Sequence, residues 1–244
     1  MSSVVPLWRR AVAEAVGTGL LVTVVVGSGI AASALSPDDV GLQLLENAFA
    51  TALGLAVLIL MLGPVSGAHF NPVVSAVDWW LGRRAGAGLT LRELAAYIPA
   101  QISGAIVGAV LANLMYAKAA VSWATTDRST GPLWLGEVVA TAGLVVLIFA
   151  LASSGRAALA PVAVGAYIGS AYWFTSSTSF ANPAVSIGRA FSDTFAGIAP
   201  GSLPGFIIAQ LIGAVVGVGL LAVLYPEAAR AADEIVIPTS GVAK

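Results

Sequence analysis

The chain has 244 residues, of which 58% are hydrophobic and 9% charged, with a formal net charge of -1. Soluble domains carry about 25% charged residues, so this composition belongs in a lipid bilayer, and it offers no basic surface for a nucleic acid. With no cysteine, one histidine and scattered carboxylates, the chain lacks the residues for a disulfide framework, a thiolate site or a metal centre, and no cofactor is implied.

A membrane-spanning helix needs about 20 mostly apolar residues. The first run of that length covers 10–34. Arg9-Arg10 ahead of it and Ala31-Ala32-Ser33-Ala34 near its end give it the outline of a cleavable leader. Glu14 inside the run, and its counterpart later in the chain, favour a retained spanning helix. Further spans are predicted over 43–65, 92–116, 133–153, 158–178 and 203–225. Two apolar pieces, 71–80 and 182–191, are too short to cross. Both begin with Asn-Pro, and Asn is a good N-cap while Pro suits the first helical position. They are predicted to be half-helices that start inside the membrane. Residues 227–244 form a polar tail.

The two halves repeat each other. His69-Phe70-Asn71-Pro72-Val73-Val74-Ser75 matches Phe180-Ala181-Asn182-Pro183-Ala184-Val185-Ser186. Glu14 and Thr18 match Glu137 and Thr141. The stretch from Ala100 and Gln101 to Gly108 matches that from Ala209 and Gln210 to Gly217, with six of nine positions identical. One repeat covers about 8–118 and the other about 131–226, within a single domain over 1–226. Three spans per repeat is an odd number, so the copies enter the membrane from opposite sides, and the site of such an inverted repeat lies near the midplane. With both termini in the cytoplasm, Arg9, Arg10, Arg83, Arg84, Arg92, Arg156, Arg230 and Lys244 fall inside. Lys118, Arg128 and Arg189 fall outside, as do Asp38 and Asp39. Eight basic residues against three obeys the positive-inside rule. The expected location is a bacterial-type inner or plasma membrane.

Polar groups at membrane depth are where function is sought. Asn71 and Asn182 can cap the half-helices through their carbonyl oxygens and still offer their NH2 groups to a solute. Glu14 and Glu137 could relay protons, or could accept N–H groups from the irregular backbone ahead of each half-helix, which needs such partners at this depth. The second role fits better. Gln101 and Gln210 begin Gly-rich stretches and are expected to hydrogen-bond between helices. No nucleophile–base pair supports an enzyme.

The segment Ser66-Gly67-Ala68-His69-Phe70-Asn71-Pro72, together with Asn182-Pro183-Ala184, Glu14, Glu137, Gln101 and Gln210, resembles the aquaporin and glycerol-facilitator (major intrinsic protein) family. The likeness runs over about residues 8–226. It implies an all-α integral membrane protein with six spanning helices and two re-entrant half-helices. It also implies a homotetramer with one pore per subunit and passive conduction of small neutral solutes. Gly67, Ala68 and His69 would line the cytoplasmic approach. His69 would offer its backbone carbonyl, while its imidazole could equally be a packed, satisfied ring. Positive half-helix ends meeting at mid-pore would repel cations, as is known of aquaporin-type pores.

Two departures from the family pattern stand out. The first Asn-Pro-Ala is Asn-Pro-Val, and Val73 should ask only for a packing adjustment. Where water-selective members carry Arg three residues after the second Asn, this chain has Val185. Counting from the Asn residues, the other ring positions fall on Thr51, Ser170 (or Gly169) and Ser179. That ring would hold neither an aromatic residue nor Arg, unless Tyr172, Trp173 or Phe174 turns inward. It would admit glycerol, urea or neutral metalloids such as arsenous acid, and it resembles a bacterial open-filter subgroup associated with arsenic resistance. Arg189 lies one helical turn beyond Val185 on the same face. It is a candidate for the outer vestibule, or else for an ion pair with Asp193. The rival class is an anion channel on a similar scaffold, because positive half-helix ends attract anions.

Overall fold

The computed structural model describes residues 5–83 and 86–226. Arg84, Arg230, Lys244 and the tail 227–244 lie outside the described residues. Eight α-helices follow one another: α1 (Leu7–Leu35), α2 (Val40–Ser66), α3 (Pro72–Gly82), α4 (Leu91–Met115), α5 (Gly131–Ser153), α6 (Ala160–Phe174), α7 (Pro183–Arg189) and α8 (Leu203–Leu224). Six of them, counting α6 and α8 with the short 3-10 turns that precede them, are long and apolar enough to cross a membrane. The remaining two, α3 and α7, are the half-helices.

Local chemistry sets the ends. Asp39 caps α2 by accepting from Leu42 N. Thr90 and Glu93 cap α4 reciprocally, each side chain taking the other's backbone N–H, a pairing that satisfies two donors the helix cannot. α2 stops at Gly67, whose φ of +87° is left-handed, a conformation open to glycine at little cost. One boundary departs from expectation. The span 158–178 is helical only from Ala160 to Phe174, because Thr175 turns extended at φ -105° and ψ 141°.

Large apolar side chains such as Leu53, Val57, Val107, Val139, Val215 and Val223 are exposed around the outside. In water that surface would aggregate; in a bilayer it is the solvated face. Inside, small residues let backbones touch, as helix pairs in lipid require. A Cβ at Gly104 would lie 2.1 Å from the Ala15 carbonyl oxygen, and one at Gly108 would lie 2.0 Å from that of Gly19. In the second half, a Cβ at Gly213 would lie 2.6 Å from Val138 O, and one at Gly217 would lie 2.9 Å from Ala142 O. Thr23 Oγ1 donates across the α1–α4 contact to Gly108 O at 3.1 Å. Gly108→Ala is therefore expected to destabilise the protein by about 1–3 kcal/mol, read as a lower unfolding midpoint in detergent. Gly219→Ala, whose Cβ would meet nothing within 4 Å, should leave the midpoint unchanged or slightly raised.

The half-helices bind the repeats together. Val73 and Val77 of α3 are buried with Val145 and Phe149 of α5 and with Ala214 and Leu221 of α8. α7 packs in turn on α4, where a Cβ on Gly188 would meet Ala105 O at 2.7 Å. Each half-helix thus starts in one repeat and is covered by the other. Val73, at the position where the family pattern has Ala, is accommodated at 1% exposure in this cluster.

Candidate functional site

The segments before α3 and α7 have the same unusual backbone. Gly67, Ala68 and Phe70 have φ of 87°, 51° and 49°; Thr178, Ser179 and Ala181 have 60°, 49° and 47°. Most of these are not glycine, and left-handed residues of that kind persist only where their surroundings hold them. The holding group is a buried carboxylate. Glu14 accepts from Ser66 Oγ at 2.7 Å, His69 N at 3.0 Å, Phe70 N at 2.7 Å and Gln101 Nε2 at 2.7 Å. Glu137 accepts from Ser177 Oγ at 2.7 Å, Phe180 N at 2.8 Å, Ala181 N at 2.8 Å and Gln210 Nε2 at 2.6 Å. Each glutamine also donates to the serine one turn into its half-helix, Gln101 to Ser75 Oγ and Gln210 to Ser186 Oγ, both at 2.9 Å. Both carboxylates are wholly enclosed by these donors, which is the geometry of a loop anchor.

The strain delivers two asparagines to one point. Asn71 Oδ1 accepts from Val73 N at 3.0 Å, and Asn182 Oδ1 accepts from Ala184 N at 3.0 Å and Val185 N at 3.2 Å. Their amide nitrogens cross to the opposite repeat: Asn71 Nδ2 donates to Ala181 O at 2.8 Å, and Asn182 Nδ2 donates to Phe70 O at 2.7 Å. This network admits one orientation of each amide, since a flip would set donor against donor and acceptor against acceptor. Capping and crossing use the oxygen and one hydrogen, so each NH2 keeps one donor. Pro72 and Pro183 follow at the first helical positions and are buried, where the missing N–H costs nothing.

Both asparagines line a cavity of about 810 Å³. One end of it is walled by Gly63, Pro64, Gly155 and Pro161, the other by Thr51, Tyr172, Val185 and Arg189. Gly67, Ala68 and His69 lie along it in turn, with Ser179 towards the far end. The spanning helices contribute apolar side chains to the rest of the wall, with Leu21, Val25, Leu55, Leu144, Ile148 and Val164. His69 Nδ1 pairs with Ser75 Oγ at 3.0 Å, and the ring edge meets Tyr97 at 5.7 Å between centroids. Its buried Nε2 has no hydrogen-bond partner among the described residues.

Of the ring positions counted from sequence, Thr51, Ser179 and Val185 line the cavity. Ser170 does not: it is exposed, and its hydroxyl folds back to Tyr167 O. Gly169 packs on α2, its Cβ position 2.8 Å from the Ala52 methyl. The α6 wall is instead Val164, Ile168 and Tyr172. Residues 175–182, which separate α6 from Pro183, are not helical, so a count from Asn182 does not fix the face of α6 that meets the cavity. Among the three aromatic candidates, Trp173 and Phe174 are exposed, whereas Tyr172 is 3% exposed with its hydroxyl 3.2 Å from Thr51 Oγ1. Tyr172 lies four and eight residues after Ile168 and Val164, on the same face of α6, but the apolar sequence does not mark that face as the lumen side.

Arg189 also lines the cavity and is 2% exposed. Its guanidinium lies 3.4 Å from the Phe180 ring centroid and donates through Nε to Ala196 O. Tyr172 is thus the aromatic residue that turns inward, and Arg189 lines the cavity one helical turn beyond Val185. The alternative pairing of Arg189 with Asp193 does not occur: Asp193 Oδ1 accepts from Thr125 N and Oγ1 at 2.9 and 3.0 Å.

Comparison with known proteins agrees with this geometry. Residues 1–192 match the family model described as major intrinsic protein. The aquaglyceroporin AqpS of Rhizobium meliloti is 53% identical over 215 residues, covering 88% of this chain and 89% of the relative. A glycerol uptake facilitator protein of Pseudomonas aeruginosa is 31% identical over 271 residues, covering 93% and 94%. The X-ray structure of the aquaglyceroporin from Plasmodium falciparum superposes with a TM-score of 0.69 at 20% identity, covering 91% of this chain and 99% of that one. The chain with its paired Asn-Pro half-helices belongs to the major intrinsic protein family.

Proposed function

We propose that this chain is a passive channel for small neutral hydroxylated solutes of about the size of glycerol, with neutral metalloids such as arsenous acid among them and some water passing too. The observation that carries this reading is the cavity's mixed lining. Asn71, Asn182 and the backbone of 67–70 offer hydrogen bonds from the non-helical segments, while the spanning helices contribute aliphatic side chains. A polyol has both kinds of surface, hydroxyls along one edge and C–H along the other. A pore that replaces lost water contacts on one side only can pass it without holding it. Val185 in place of Arg leaves the first turn of α7 small and uncharged, which supports solutes larger than water. The names of the relatives, an aquaglyceroporin and a glycerol uptake facilitator, support the same class.

The functional unit is a homotetramer in a bacterial inner membrane, with both termini in the cytoplasm. Arg9, Arg83 and Arg156 on the terminal side support that orientation. Reconstituted vesicles should show glycerol and arsenous acid uptake by stopped-flow light scattering, well above protein-free vesicles and without saturation. Planar-bilayer current should stay at background. Ion current without neutral-solute flux would overturn the proposal in favour of an anion channel.

A further inference from the structure

At the end of the main cavity opposite the termini lies a second, smaller one of about 210 Å³, lined by Val40, Leu44, Asn47, Arg128, Thr178, Arg189 and Phe195. Arg189 lines both, so it stands at the boundary between the main cavity and this smaller one, which we take as its mouth. Arg128 comes from the 117–130 connection, far away in sequence, yet it is placed by the same strand of backbone. Arg189 Nε donates to Ala196 O, and Arg128 Nε donates to Gly197 O at 3.0 Å. Two guanidiniums therefore hang from consecutive carbonyls, both beside the Phe180 ring, at 3.4 and 5.1 Å from its centroid.

Neither cation has an anionic partner. Among the described residues the one ion pair is Arg10–Glu93, at the other end of the molecule. The carboxylates nearest in sequence are turned away. Asp127 Oδ1 takes Ser202 Oγ at 2.8 Å and Ser129 N at 3.0 Å, and Asp193 takes Thr125. Glu137, whose field reaches both arginines, is filled by four other donors. A guanidinium has five N–H donors, and each Nε uses one. Among the described residues the terminal amino groups of Arg189 have no hydrogen-bond partner, and although the residue is 98% enclosed it lines both cavities. A charge so deeply buried and so poorly compensated is costly, and two of like sign side by side add to the cost.

We propose that this mouth binds a small monovalent oxyanion bearing one apolar substituent, held by Arg128 and Arg189. The planar forks of two guanidiniums suit the two oxygens of such an anion, which a chloride ion would engage less well. Asn47 and Thr178 border the same space, and Val40, Leu44 and Phe195 supply an apolar wall for the substituent. The volume is several times the roughly 30 Å³ that a water molecule occupies in the liquid, enough for a short carboxylate. The anion stops at the mouth, because the lining of the lumen beyond Arg189 holds no further arginine or lysine to balance its charge. Bound there, it obstructs the passage used by neutral solutes.

Propionate is the probe. Ligand-observed NMR on the detergent-solubilised protein reads binding without any reliance on conduction, so its outcome is separable from that of the channel reading. Wild type should bind propionate. Arg128→Gln should weaken binding at least about ten-fold, a loss of roughly 1.4 kcal/mol. Arg189→Lys, which keeps the charge but not the fork, should weaken it measurably, and the double variant Arg128→Gln/Arg189→Gln should abolish it. Arg83→Gln, a change at an exposed residue stacked on Trp80, should bind as wild type does. In vesicles, propionate on the mouth side should slow glycerol flux in wild type and not in Arg128→Gln. No binding to wild type, or equal binding by Arg128→Gln and the double variant, overturns the proposal.

Discussion

Replacing Val185 with arginine is expected to lower glycerol flux by at least about ten-fold, a rise of roughly 1.4 kcal/mol in the barrier, while water flux falls much less. Val185 lies in the first turn of α7, is 5% exposed and borders the cavity together with Thr51, Tyr172 and Ser179. An arginine there has no buried space of its own, since Ala184 and Ser186 on either side are fully enclosed. The long side chain must enter the lumen. It is also repelled from the mouth, because Arg189 sits one turn along the same face and like charges at that spacing are unfavourable. The guanidinium therefore lies across the passage near Tyr172, where it narrows the channel and leaves room for water in preference to a triol. Stopped-flow measurement of both solutes on the same vesicles removes differences in protein content. Wild-type glycerol flux in a correctly assembled Val185→Arg protein would mean that the constriction lies elsewhere.

The parts of this pore that were legible in the sequence are those that occur twice. Asn71 and Asn182, Glu14 and Glu137, Gln101 and Gln210 each have a partner at a matching place, and the matching hydrogen bonds follow from that pairing. Helix positions were legible for the same reason that the bilayer selects them: long apolar runs have few other homes. The α6 wall was not legible. Its sequence is apolar on every face, so nothing in it marks which side meets lipid and which meets the lumen. Only the register of Val164, Ile168 and Tyr172 against α2 decides it. The partners of Arg189 were also hidden. Ala196, Gly197 and Arg128 reach it through loops whose course depends on long-range pairing, such as Ser122 N to Phe191 O and Ala199 N to Thr126 O, at 3.1 and 2.8 Å.

These two regions divide the work of the pore. The duplicated middle is rigid and common to both repeats, since each half-helix is anchored at its start by its own repeat and buried by the other. The region beyond Val185 is not duplicated: Val40, Leu44 and Asn47 of the first repeat meet Arg128, Thr178, Arg189 and Phe195 there. Asp78 is the counterpart of Arg189 in the first repeat, seven residues after Asn71, and its carboxylate accepts Leu89 N at 2.7 Å in a loop contact away from the lumen. Selectivity is therefore expected to vary with substitutions around Arg189 and Tyr172, and assembly with substitutions around the two glutamates.

Glu137→Gln is the sharpest test of that division. The change is almost isosteric, yet it converts one acceptor oxygen into an NH2 that faces groups already donating. Oε1 receives Ser177 Oγ and Phe180 N, and Oε2 receives Ala181 N and Gln210 Nε2. Whichever oxygen is replaced, two hydrogen bonds become donor–donor contacts in a site closed to water. Each buried donor left without its acceptor costs about 1–3 kcal/mol, and here there are two. The unfolding midpoint in detergent should drop well beyond that of Gly108→Ala, and solute flux should be lost with it. Glu14→Gln should follow the same course more mildly. The segment that Glu14 holds has glycine at its first left-handed position, Gly67, whereas the segment held by Glu137 has Thr178 there. A non-glycine residue in that conformation costs about 1–2 kcal/mol, so the second loop has more strain to release once its anchor is weakened. If Glu137 served as a proton relay and not as an anchor, Glu137→Gln would keep wild-type stability and lose only the pH dependence of transport. An unchanged midpoint would therefore decide against the anchor.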